Sequence, residues 1–67
     1  MIVVNGYKIG DLVFNIIFPT EMGIVIGWYT TFGTNYPKIY WISGENKEKI
    51  GWAHKDIIEK VNFESEI

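Results

Sequence analysis

The 67-residue chain reads as one small all-β domain, with five or six short strands closed into a barrel or sandwich. Three observations carry that reading. Short β-branched and aromatic runs are bounded by Gly, Asn, Pro and charged turn residues. No segment keeps apolar residues at helical spacing over the length a helix needs. The chain is 48% apolar and has no cysteine, so neither a disulfide nor a zinc–thiolate site supports it. A domain of this size buries only about 60% of the surface its unfolded chain exposes. Packing or association must therefore supply the stability.

The elements follow in order. Ile2, Val3 and Val4 form an added N-terminal strand, and Asn5-Gly6 is a two-residue turn signal. Residues 8–15 form the next strand, entered through Gly10-Asp11. There glycine permits a sharp turn, and the carboxylate can accept backbone N–H groups. Residues 16–21 form a loop, because Pro19 cannot donate to a ladder. Residues 22–29 are a strand in which Gly27 marks a bulge or bend. Residues 30–36 read as a polar-aromatic loop and 38–42 as a strand. A charged turn spans 43–49, a short strand 50–53, one helical or 3₁₀ turn 55–57, and a last strand 58–61. Residues 62–67 are an acidic tail.

Charge is unevenly spread. Residues 1–44 carry only Lys8, Asp11, Glu21 and Lys38, and residues 45–67 carry the other ten charged side chains. The net charge is −2 and all six cations are lysine. Nucleic-acid binding begins from a positive footprint, which this composition does not provide. The apolar runs are too short and broken to span a bilayer, and the N-terminus lacks the regions of a signal peptide. The expected setting is cytoplasmic.

A family resemblance rests on three elements in order. Ile9-Gly10-Asp11-Leu12-Val13 comes first and Gly23-Ile24-Val25 second. Ile39-Tyr40-Trp41 is third, followed by Trp52 and Asp56-Ile57-Ile58. Over residues 8–61 this resembles small SH3-like β-barrel proteins of the kind encoded by phages, many of them with no assigned role. The resemblance implies a five-stranded, strongly bent barrel with Val13, Val25, Ile39 and Trp41 in its core. It implies a host-cytoplasmic location and carries over no catalytic residue. The departures are the apolar Ile16-Ile17-Phe18 loop, the aromatic segment 29–36 and the added N-terminal strand.

Catalytic chemistry finds little support. The serines are Ser43, in a turn, and Ser65, in the tail, and His54 is the sole histidine. A Ser43, His54, Asp56 set has no nucleophile elbow or oxyanion motif beside it. His54 reads instead as a polar residue at a strand end. One histidine and scattered carboxylates give no metal-ligand cluster, and no phosphate-cradling glycine motif occurs. No enzyme activity, cofactor or metal is expected.

Aromatic residues form the one notable constellation. Trp41 and Trp52 read as core packing. Trp28, Tyr29, Phe32 and Tyr36 flank or occupy the 30–36 segment and are equally consistent with a contact surface. Alternation poses a conflict on strand 22–29: the family pattern puts Val25 inside, whereas hydrophobicity alone favours Ile24, Ile26 and Trp28. A bend at Gly27 would reconcile them. The family assignment leaves Ile24, Ile26, Tyr40 and Ile42 outside, beside Ile16, Ile17 and Phe18. Patches of that kind usually mark interaction sites. The expectation is a non-catalytic interaction or assembly module that contacts a protein partner or a second copy of itself. The alternative is a nucleic-acid-associated regulatory domain.

Overall fold

A computed structural model describes residues 6–61. The domain is all-β, with one 3₁₀ turn as the only helical element among the described residues. Five strands, β1 (Leu12–Asn15), β2 (Met22–Thr31), β3 (Thr34–Trp41), β4 (Ile50–Trp52) and β5 (Ile58–Lys60), form one antiparallel sheet in the order β4-β3-β2-β1-β5. The sheet is not closed: β4 and β5 are its two edges. A 3₁₀ turn, Lys55–Ile57, lies on the connection between them. The expected N-terminal strand at residues 2–4 and the tail 62–67 lie outside the described residues.

Each strand ends for a local reason. β1 begins at Leu12 rather than at residue 8, because Gly10 sits at φ +101° and the Lys8 N–H donates to Asp11 Oδ2 at 3.0 Å, which closes a turn first. β1 stops at Asn15, whose Oδ1 accepts the N–H groups of Ile17 (2.8 Å) and Phe18 (3.2 Å). The segment 30–36, expected as a loop, is strand. β2 and β3 run on to the pair Thr31 and Thr34, and a two-residue turn joins them at Phe32 (φ +50°) and Gly33 (φ +76°). Two positive φ values define the type I′ turn that matches strand twist. Thr30, Thr31, Thr34 and Tyr36 favour that extended backbone.

One bulge settles which side chains face inward. Val25 pairs with Ile39, but the next pair is Gly27 with Lys38, so Ile26 is an extra residue in β2. Before the bulge Gly23 and Val25 are buried, and after it Trp28 packs against the same core, opposite buried Pro37. Val25 thus faces inward as expected, and of Ile24, Ile26 and Trp28, which hydrophobicity alone favours, only Trp28 reaches the core.

The core comprises Tyr7, Val13, Val25, Ile39, Trp41, Ala53 and Ile58, with Trp28 and Ile57 packed against it. The four residues expected there, Val13, Val25, Ile39 and Trp41, are all buried. Trp52 is the exception among the expected core aromatics. It pairs with Lys38 and points outward, 54% exposed, while Gly51 takes the inward position opposite Ile39. Gly23 is glycine because a Cβ there would strike Ile39 Cγ2 and lie 2.9 Å from the Tyr40 carbonyl oxygen.

Two buried carboxylates anchor the ends of the sheet. Asp11 accepts from Lys8 Nζ at 2.6 Å, and Lys60 Nζ lies 4.0 Å away. Burial by itself would raise its pKa. The hydrogen bonds from the Lys8 side chain and backbone, together with the Lys8 and Lys60 charges, outweigh it and hold the carboxyl below its usual value. Glu21 accepts from the side-chain amides of Asn15 (3.4 Å) and Asn46 (3.3 Å), tying two loops together. Tyr7 donates its hydroxyl to the Ile58 carbonyl at 3.0 Å. Its pKa is pushed up, first by burial and then by Glu59, Asp11 and Asp56.

Candidate functional site: the outer face of the sheet

Directly paired residues of an antiparallel sheet share a face. Three successive pairings, Leu12 with Ile24, Ile24 with Tyr40, and Tyr40 with Ile50, therefore make one apolar row across β1, β2, β3 and β4. A second row begins with Phe14 opposite Met22, and the Ile42 N–H donates to the Met22 carbonyl at 2.8 Å. On the other side of the first row, Gly27, Lys38 and Trp52 face the same way, with Tyr29 opposite Tyr36 beyond them.

None of these outward side chains is buried. Leu12, Phe14, Met22, Ile24 and Tyr36 are half-covered, and Ile26, Tyr29, Tyr40, Ile42, Ile50 and Trp52 are exposed. Lys38 is the one charged residue at the β2 and β3 positions of this face. On the inner side of the same strands Val25 and Ile39 are 0% exposed, whereas outward-facing Tyr40, the residue after Ile39, is 36% exposed.

Of the eleven contact residues expected from sequence, Ile24, Ile26, Tyr29, Tyr36, Tyr40 and Ile42 come together on this face. Trp28 does not: the bulge turns it toward the core. Ile16, Ile17 and Phe18 are exposed on the β1–β2 loop, at the end of the sheet opposite the β2–β3 turn. Phe32 is fully exposed at that turn. Sequence reasoning missed Ile50 and Trp52. Alternation around Gly51, read together with the apolar outward residues of β3, was the available signal.

The aromatic end of the face is ordered by ring contacts. Tyr29 and Trp52 stack with centroids 6.1 Å apart and planes at 17°. Tyr36 lies 4.9 Å from Trp52 and 5.8 Å from the His54 ring. His54 caps the 3₁₀ turn, its Nδ1 accepting the Asp56 N–H at 3.2 Å. Ser43 is engaged elsewhere: its Oγ donates to the Thr20 carbonyl (2.7 Å) and accepts the Met22 N–H (3.0 Å). The hydroxyl and imidazole of the conceivable triad thus serve separate local turns. Among the described residues no group of three or more His, Asp or Glu side chains is placed to hold a metal ion. No helix among them is long and apolar enough to cross a membrane.

The geometry defines a class, a single-sheet antiparallel β domain with one apolar face packed and the other open among the described residues. No known protein family, curated protein or solved structure matches the chain.

Proposed function

We propose that this protein is a non-catalytic interaction or assembly module that works by burying the outer face of its sheet against protein. The observation that carries this reading is the row Leu12, Ile24, Tyr40, Ile50, which crosses four strands without a charge. Contiguous apolar patches of this kind mark interaction sites, whereas single exposed apolar residues carry no such meaning. Aromatic residues beside it, Tyr29, Tyr36 and Trp52, are of the type enriched in contact cores.

The SH3-like barrel of phage-type proteins remains the architecture we favour. Five antiparallel strands, the bulge that bends β2 at Ile26, and the burial of Val13, Val25, Ile39 and Trp41 support it. The assembly role is assigned in that setting, with a second copy as the first partner to test.

Sedimentation velocity over a concentration series tests the reading. The wild type is expected to self-associate, and Tyr40→Lys or Ile50→Lys to shift it toward monomer. A wild type that stays monomeric to about 1 mM, where association is worth only about −4 kcal/mol, would count against self-association. Association unchanged by both lysine variants would count against this face.

A further inference from the structure

We infer that the free edge of β4 pairs with the same edge of a second copy, antiparallel and with the two-fold axis at Gly51, so that two sheets become one. The inference goes beyond the outer-face reading above. It concerns backbone along an edge, and it holds or fails apart from burial of that face.

The hydrogen bonds of β4 fix which of its backbone groups are free. The Trp41 N–H donates to the Lys49 carbonyl at 2.9 Å, and the Ala53 N–H donates to the Pro37 carbonyl at 3.2 Å. Successive residues of an antiparallel strand direct their backbone groups to opposite sides. Residues 49, 51 and 53 therefore serve β3, and the N–H and C=O groups of Ile50 and Trp52 point off the edge. Among the described residues no hydrogen bond reaches those groups. The Trp52 ring does not cover them, because it leans back over β3 to stack on Tyr29 of β2. Charge, proline and bulges are the usual guards of an exposed edge, and Ile50–Trp52 has none of them; its shortness is the one guard it keeps.

The other edge differs, and the difference selects the occupant. The Ile57 carbonyl and the Val61 N–H bond to β1, so Ile58 and Lys60 face off the β5 edge. There the Ile58 carbonyl already accepts the Tyr7 hydroxyl at 3.0 Å, and two of the three residues, Glu59 and Lys60, are charged. A contact of β4 with β5 would run head to tail and propagate as a filament. The Tyr7 cap and the β5 charges oppose it. A contact of β4 with β4 closes after two copies, and its register is self-complementary. Ile50 of each copy falls opposite Trp52 of the other, and each such pair exchanges both of its N–H···O=C bonds. Gly51 falls opposite Gly51, so no side chain stands at the axis. Lys49 falls opposite Ala53, so no like charges meet within residues 49–53. Ile50 and Trp52, each more than half exposed in the single chain, become a β-branched and aromatic cross-strand pair.

The experiment reads backbone amides across a concentration series. Hydrogen exchange followed by NMR is expected to show the Ile50 and Trp52 N–H groups unprotected in dilute protein and protected on association, while Gly51 is protected throughout. Ile50→Pro deletes an N–H that β3 does not use, so the variant is expected to melt close to the wild type. Its self-association should weaken about tenfold or more, because half of the bonds between copies are lost. Gly51→Cys supplies a second test. A Cβ there meets only Trp41 Nε1, at 3.7 Å, and the paired Cα atoms would lie about 4.5 Å apart, within disulfide reach. This variant is expected to oxidise to a covalent dimer in glutathione buffer much faster than Glu59→Cys on the β5 strand. Association that leaves Ile50 and Trp52 exchanging freely overturns the edge pairing, as do equal oxidation rates for the two cysteine variants. Protection that extends to Lys60, with oligomers that grow without limit, overturns the two-fold in favour of head-to-tail pairing. If Tyr40→Lys abolishes association while Ile50→Pro does not, the edge pairing fails and the sheet-face reading stands.

Discussion

Val25 and Ile24 are neighbours in β2, both β-branched and apolar, and their surroundings could hardly differ more. Val25 faces Ile39 and both are fully buried, whereas Ile24 faces Tyr40 on the open side. The inner face is built to close packing. It has a glycine at position 23 where a methyl group would collide, and a bulge at Ile26 that brings Trp28 back toward the core. The outer face repeats the apolar chemistry without a covering layer among the described residues. Apolarity alone therefore does not identify a core residue in this domain. Pairing partner and bulge position do.

Substitutions on the two faces should separate sharply. The largest effect is expected from Ile39→Ala, which removes a fully buried side chain at a cost of about 2–5 kcal/mol, a large fraction of what a domain of this size has. Chemical denaturation would read it, and a cost under half of that range would mean the inner face repacks easily. Gly23→Ala adds one methyl group against Ile39 and the Tyr40 carbonyl and should cost about 1–3 kcal/mol. Strand β2 can relieve this clash only by opening its pairing with β3, so weakened amide protection around Ile39 and Trp41 should accompany it.

Asp11→Asn comes next, at about 1.5 kcal/mol near neutral pH, since a part-buried charge-assisted hydrogen bond to Lys8 is lost. The pH dependence has a definite sign. The folded-state pKa of Asp11 is lowered, so its contribution is present above the unfolded value of about 3.9 and is lost as pH falls below it. Acid titrations of stability should therefore fall less steeply below that pH in Asp11→Asn than in the wild type. Identical slopes would remove Asp11 from the account. The smallest change in monomer stability, within about 0.5 kcal/mol, is expected from Ile50→Lys on the open face. Its effect should appear in association instead.

Much of the inner face was legible in the sequence. Val13, Val25, Ile39 and Trp41 were expected in the core from the SH3-like resemblance, whereas hydrophobicity along β2 favoured Ile24, Ile26 and Trp28, and Gly27 announced an irregularity one residue from where it occurs. The segment 30–36 was not legible, because its turn residue is Phe32, where the usual signal would be Asn or Asp before Gly33. Trp52 was misplaced for a different reason. Its size argued for burial, but its facing depends on register with Lys38, a long-range pairing that no local pattern in β4 specifies. Ile50 was overlooked with it, so the outer row was seen only as far as β3. The hydrogen bonds of Asp11 were foreseeable as a turn function, whereas the second clamp through Glu21, Asn15 and Asn46 joins loops 25 residues apart and leaves no local trace.

The central claim is that the outer face is a surface made to be covered. Solution NMR with a soluble nitroxide measures this directly, by comparing the methyl and ring signals of Ile24, Tyr40 and Ile50 with those of Val25 and Ile39 across a dilution series. The account predicts that Val25 and Ile39 stay sharp throughout. The outer signals should broaden strongly in dilute solution and regain protection as the protein associates. Outer signals that remain equally broadened at every concentration, while the protein associates, would contradict it.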